Sequence, residues 1–339
     1  MHDLKNPTSP RTGGAGARRA TALACVLLAS GVAVAPVAAQ PQYPVKPLRI
    51  ISPYSPGGIG DTLPRALAVG LADGLGQPVI VENRPGASQA IGMQAAARSA
   101  PDGYTLVLGS VTSLAINPAV ARELPYDPVR DFSPVALCIT TPLYLVVHPS
   151  VPARSVQELV ALARRQPGRI TYASGGNGSS NHLAGELLRM LARVDLLHVP
   201  YKGAGPAMAD VMGGHVDMML GAAGLSEARA GRVRVLGVTS ARRTAAAPEV
   251  PTLQESGVPG YEATIWFGLL APAGVPPALI DRLSREVGRV LGQRTLREAF
   301  PTVDIAQGTP AAFAEFIRRE MDKWRKVVSG ARIESGLGN

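Results

Sequence analysis

A short apolar run, Leu48–Ile51, breaks at Ser52-Pro53-Tyr54-Ser55-Pro56-Gly57-Gly58-Ile59-Gly60-Asp61, and leucines then recur at positions 63, 67, 71 and 75. The run reads as a buried strand and the leucine spacing as one face of a helix. The prolines and glycines between them force an irregular turn. Asp61 is expected at the helix N-cap, its carboxylate accepting from the amide of Leu63. Pro64 has no N–H to offer, yet it is tolerated because first-turn amides have no partner inside the helix. Strand, glycine turn and helix start form a cradle whose amides and partial positive charge suit an anion. The glycines spell neither G-x-x-x-x-G-K-[ST] nor G-x-G-x-x-G, which favours a small carboxylate over a nucleotide. The competing explanation is a turn that serves packing alone.

The alternation continues along the chain. Strands are expected over Pro78–Val81 and Tyr104–Leu108, with a helix over Ala87–Arg98 between them. Such units imply an α/β chain with a parallel sheet and helices on both faces. Ligands of such sheets sit beyond the carboxyl ends of the strands. Ser55–Gly60 and Ser110–Ser113 both lie at that edge, which makes Ser110 and Thr112 candidate contacts. Val135–Ile139 and Tyr144–His148 read as further strands, the second ending at the proline-bounded break His148-Pro149-Ser150-Val151-Pro152. The crossing into a second lobe is expected there, with His148 a strand-end residue rather than a ligand.

Beyond the break, Ser155 and Glu158 form a capping box. Ile170–Ala173 reads as a strand, and the loop Ser174-Gly175-Gly176-Asn177-Gly178-Ser179-Ser180-Asn181-His182 runs into a helix with Leu183, Leu187, Leu188 and Leu191 on one side. This repeats the opening cradle with hydroxyls and an amide added. A flexible linker would not sit between a strand and an amphipathic helix. His182 is expected to pack under the loop and hold its shape. Leu196–Val199 leads to Tyr201 and Lys202 in another glycine-rich turn, while His198 and His215 read as isolated structural residues. Val216–Leu220 and Val233–Val238 complete a second sheet. Tyr261–Ala273 returns to the first lobe, with Trp266 a candidate for either the cleft wall or the core. Phe313–Val328 has a basic amphipathic pattern, which in an α/β protein packs on the sheet more often than on a membrane.

Residues 1–20 carry Lys5, Arg11, Arg18 and Arg19 against Asp3, and an apolar, alanine-rich stretch follows to Val37. Val37-Ala38-Ala39 fits a secretory cleavage site, so a signal peptide over residues 1–39, cut after Ala39, is expected. The Arg18-Arg19 pair leaves general secretory and twin-arginine export both open. Removal of those 39 residues takes +3 from the net +9 of the whole chain, leaving +6. Only Cys138 would survive, among aliphatic neighbours, so no internal disulfide is available. Lys and Arg are scattered and aromatics are 4% of the chain, which argues against nucleic acid as a partner.

Further short motifs run along most of the chain: Tyr43-Pro44, Lys46-Pro47, Gly76-Gln77-Pro78-Val79, Val81-Glu82-Asn83-Arg84-Pro85-Gly86-Ala87, Pro101-Asp102-Gly103-Tyr104-Thr105-Leu106 and Ala115-Ile116-Asn117-Pro118. Tyr126-Asp127-Pro128, Asp131-Phe132, Tyr172-Ala173-Ser174, His182-Leu183-Ala184-Gly185-Glu186, Val199-Pro200-Tyr201-Lys202-Gly203 and Trp266-Phe267-Gly268-Leu269 continue the series. With the Pro53–Asp61 stretch, they resemble the Bug family, the TctC-like substrate-binding proteins of tripartite tricarboxylate transporters. The resemblance implies a bilobed periplasmic-binding-protein fold (type II) with two parallel or mixed sheets, flanking helices and a two-strand hinge. The lobes are expected at residues 40–146 with 268–339, and at 147–267. It implies a monomeric periplasmic receptor that closes on a small carboxylate, with no cofactor and no metal, and hands it to TctA/TctB-like membrane subunits. Mapped onto this sequence, the contacts are Tyr54, Pro56, Gly57, Gly58 and Asp61 in one lobe. Ser174, Asn177, Gly178, Ser179, Ser180, Tyr201 and Lys202 serve in the other.

Two departures stand out: Ile59-Gly60 replaces the family's common Gly-Thr, and Leu114 stands where a polar residue or histidine is frequent. Both make the first wall more apolar, which predicts a ligand with an apolar or aromatic body and a carboxylate end. An alternative is a receptor read by a sensor protein. An enzyme is disfavoured: there is no G-x-S-x-G, no H-E-x-x-H, no paired-cysteine site and no nominated nucleophile and base.

Overall fold

The computed structural model describes residues 43–306 and 308–331. The expected signal peptide and its cleavage site lie outside them. In chain order the elements are β1 (Leu48–Ser52), α1 (Ile59–Leu75), β2 (Val79–Asn83), α2 (Ala90–Ala97), β3 (Thr105–Ser110), α3 (Asn117–Val120), β4 (Phe132–Pro142) and β5 (Tyr144–Val147). Then come α4 (Val156–Arg165), β6 (Thr171–Ser174), α5 (Ser180–Ala192), β7 (Leu197–Pro200), α6 (Ala204–Met212), β8 (Met218–Gly221), α7 (Gly224–Arg229) and β9 (Arg234–Val238). The chain closes with β10 (Thr264–Pro272), α8 (Pro277–Leu291), α9 (Arg294–Ala299), β11 (Asp304–Ile305) and α10 (Pro310–Ala331).

The strands form two sheets, ordered β11-β4-β10-β3-β1-β2 and β7-β6-β8-β5-β9. β1 pairs in parallel with β2 and β3, and β10 runs antiparallel to β3 and β4. β6 is parallel to β7 and β8, whereas β5 is antiparallel to β8 and β9. These are two mixed sheets with flanking helices, a bilobed α/β fold. The parallel strands of each sheet end in the loops that the sequence marks with glycine.

The chain changes sheet at Leu143, not at the proline break after His148, because β5 already belongs to the second sheet. No turn residue is needed there, since Thr239 holds the backbone in register. The Thr239 hydroxyl accepts from the Leu143 amide at 2.7 Å, and the Thr239 amide donates to the Leu143 carbonyl at 2.9 Å. Ala263 donates to the Thr239 carbonyl at 3.0 Å, which ties the return crossing to the outward one. The prolines at 149 and 152 shape a surface loop instead.

One buried cluster joins Phe313, Ile317 and Trp324 of α10 to Val107 in the first sheet and to Tyr172 and Leu187 on the second. The amphipathic pattern of α10 is thus spent on the core. Trp266 is fully buried, edge-on to Phe313 and Phe316. It is a core residue, and its Nε1 donates to Glu320 Oε2 at 2.9 Å while the Trp324 Nε1 donates to the same oxygen at 3.2 Å. Cys138 is buried too, and burial pushes its thiol up to about 12. Among the described residues no helix is long and apolar enough to cross a membrane, and no group of three or more His, Cys, Asp or Glu is placed to hold a metal ion.

Candidate functional site

In the first loop, Ser52 Oγ donates to the Gly60 carbonyl at 2.7 Å and fastens the end of β1 to the start of α1. Tyr54 folds over Gly60 so closely that a Cβ there would lie 2.3 Å from its ring. Glycine at 60 is therefore a packing requirement. The Tyr54 ring stands 5.8 Å from Phe267, with Ser110 and Gln89 beside its hydroxyl. Burial pushes that phenol well above its ordinary range.

Asp61 is not the N-cap. The helix starts at Ile59 with Gly58 as cap, and the Gly58 carbonyl takes the amides of Asp61 and Thr62. Gly57 (φ 106°) turns the chain early enough for this. Asp61 sits one turn in and reaches backwards. Its Oδ2 accepts from the Gly57 amide at 3.0 Å, and its Oδ1 accepts from Asn83 Nδ2 at 2.8 Å and Arg65 Nε at 2.9 Å. The Arg65 and Asn83 bonds, with the Gly57 amide, hold the carboxyl down at about 2. The carboxylate is spent on loop shape, so it positions the loop rather than meeting an anion. Among the described residues, the amides of Gly58, Ile59 and Gly60 have no internal acceptor.

Beside this loop the helix expected from Ala87 begins only at Ala90. Ala87, Ser88 and Gln89 have φ of 45°, 49° and 79°, a left-handed run that costs L-residues roughly 1–2 kcal/mol each. Tertiary bonds hold it: Asn117 Nδ2 donates to the Ser88 carbonyl and Ser110 Oγ to Gln89 Oε1, both at 2.8 Å. Ser110 is therefore buried and internally bonded. Thr112 is half-buried at the start of a π-turn, Thr112–Ile116. Pro56, Gly57 and Gly58 are exposed.

In the second loop, Ser179 caps α5, its Oγ accepting from the His182 amide at 3.3 Å. Ser174 is fully buried and works internally: its Oγ accepts from the Gly176 amide at 3.1 Å and lies 2.6 Å from His198 Nε2. Gly178 (φ 73°) donates its amide to His182 Nδ1 at 3.0 Å. The His182 and His198 rings stack at 3.9 Å, and Tyr172 stacks on His198 at 4.8 Å. His198 is thus not isolated; the parallel register that sets Tyr172 opposite it brings it under the loop. The Asn177 and Ser180 side chains and the amides of Asn177, Ser180 and Asn181 carry no internal bond among the described residues. Tyr201 turns away, its hydroxyl donating to Asp210 Oδ2 at 2.6 Å. Lys202 is exposed, with no partner among the described residues.

The two loop sets approach each other: a Cβ on Gly178 would lie 3.9 Å from Val120 of α3. A cavity of about 530 Å³ opens between the sheets, lined by Ile59, Thr141 and Phe267 on one side and Tyr144, Ala222 and Leu225 on the other. The segment 222–229 carries no polar motif, and the sequence gives no signal for it.

The histidine stack makes the second loop acid-sensitive. Burial, with Arg189 nearby, lowers both imidazoles to about 4; His182 also lowers His198, while Glu186 partly opposes that shift. The folded state thus favours neutral rings, so their contribution is complete above pH ~6.5 and is lost as pH falls towards 4. A protonated Nδ1 can no longer accept from Gly178. Thermal melts are expected to show Tm falling through that window, and the fall shrinks in a His182→Gln/His198→Gln double variant.

A model of the tripartite tricarboxylate transporter family receptor matches residues 63–332. Protein BugT of Bordetella pertussis is 37% identical over 327 residues, spanning 93% of this chain and 99% of that protein. Among solved structures, R. palustris Rpa4515 with adipate is 33% identical with a TM-score of 0.74, over 86% of this chain and 99% of its own. MatC from Rhodopseudomonas palustris with bound malate is 31% identical with a TM-score of 0.70, over 84% of this chain and all of its own.

Proposed function

Since the chain belongs to the tripartite tricarboxylate transporter receptor family, we propose that it captures a small carboxylate between its two sheets for delivery to membrane subunits of the TctA/TctB type. One observation carries this reading. Among the described residues, unspent amides lie at Gly58–Gly60 in one sheet's loops and at Asn177, Ser180 and Asn181 in the other's, and a cavity that Ile59 helps to line opens between the sheets. Helix N-termini and loop amides hold a carboxylate without a dedicated arginine. The adipate and malate bound to the two related structures are acids of this kind.

The proposal extends to a monomer acting in the periplasm after cleavage behind Ala39. It includes two lobes, with the chain crossing from the first to the second at Leu143 and returning along residues 264–272. A ligand that touches both lobes only when they are shut biases the shut state. Native mass spectrometry of the purified protein is expected to show a co-purifying carboxylic acid, and small-angle scattering a smaller radius of gyration when that acid is restored. Binding of no acid, or binding without compaction, would defeat the reading.

A further inference from the structure

We propose that the cavity between the sheets is a subsite for an apolar substrate body. On the carboxylate-receptor reading, which this rests on, the chain then takes aromatic or medium-chain aliphatic acids in preference to hydroxylated di- and tricarboxylates.

Position comes first. Ile59 belongs both to the row of unspent amides at Gly58–Gly60 and to the residues that line the cavity. An acid group held on those amides has its carbon skeleton beside the Ile59 side chain. The wall continues with Phe267 and Ile265 from β10, and Leu225, Ala222 and Tyr144 close the other side. About 530 Å³ is ample for a small acid.

Polarity decides the class. Among the described residues no acidic side chain lines the cavity. Among the described residues the guanidinium of Arg229, which donates to the Ala246 carbonyl, is the one charged group on the wall, and Thr141 Oγ1 is buried there without a partner. Tyr144, Ser226 and Thr302 add hydroxyls, of which the first two are already bonded to Thr244 and to the Ala223 carbonyl. A hydroxylated tricarboxylate would thus bring more oxygens than the walls can pair, and unpaired buried oxygens are penalised. An aromatic ring or alkyl chain gains from the same walls by leaving water. The Thr141 and Thr302 hydroxyls leave room for a polar substituent on that body.

Isothermal titration with 3-phenylpropanoate, hexanoate, citrate and malate tests this. Wild type, Leu225→Asn and the more exposed Ile59→Ser are compared, with circular dichroism reporting that each is folded. The apolar acids are expected to bind at least about tenfold tighter than citrate and malate, and either substitution to narrow that ratio by about tenfold. Citrate or malate binding as tightly as the apolar acids, or a ratio unchanged in both variants, overturns the subsite and leaves the receptor reading standing. Where none of the four binds, the acid that co-purifies decides. An aromatic or aliphatic skeleton upholds the subsite, a hydroxylated one overturns it, and no acid at all overturns the receptor reading as well.

Discussion

Trp266→Ala is expected to destabilise the protein by about 3–5 kcal/mol, the usual loss for a buried aromatic cut back to a methyl. In a chain of this size that lowers Tm by roughly 10 °C. The indole is fully buried against Phe313 and Phe316, and it sits in β10, the strand that returns from the second sheet to the first. Two effects combine: the cavity left behind, and the buried Glu320 carboxylate losing one of two indole donors. Trp266→Phe helps to separate them, because it keeps an aromatic ring in the site, leaves a smaller cavity than alanine and removes the N–H. A cost of about 1–2 kcal/mol is expected for it in urea titrations. Equal losses for both substitutions would mean that the hydrogen bond, not the packing, holds this corner.

Asp61→Ala is expected to weaken ligand binding by about 10- to 100-fold, measured by titration calorimetry with the acid that co-purifies. No ligand contact is lost directly. The carboxylate fixes the Gly57 amide, Asn83 and Arg65 together, and without it the turn presenting Gly58–Gly60 loses its anchor. Arg65→Ala is the control: that side chain is half exposed, and a change of no more than about threefold is expected. The pH profile adds a second check. With its carboxyl at about 2, Asp61 keeps its contribution at any pH above ~4 and loses it only as pH falls towards 2. Binding lost between pH 6.5 and 4 therefore does not come from Asp61.

Local pattern and distant packing divide what the residues reveal before folding. The strand at Leu48 and the leucine face of α1 are visible because periodicity and glycine are local signals. So is the loop from Ser174 that runs into a helix. The true start of α1 is not visible: Asp61 resembles a cap by composition, and only the Gly57 turn and Asn83 on the neighbouring strand redirect it. The residues Ala87-Ser88-Gln89 read as helix, because the anchors that hold them left-handed come from Ser110 and Asn117. His198 looks solitary until β6 and β7 pair and stack it on His182 and Tyr172. The wall at Ala222 and Leu225 is silent for a different reason, since apolar residues look alike in a core and in a binding cavity.

The position of β10 carries a consequence for biosynthesis. It lies between β4 and β3, yet residues 264–272 are made after the whole of the second sheet. While the nascent chain is shorter than that, β3 and β4 each present a raw edge that only β10 can cover. Open edges of this kind invite pairing with other chains. Anything that keeps the polypeptide extended until synthesis is finished, as passage through a narrow translocation channel would, therefore protects it during its most vulnerable interval.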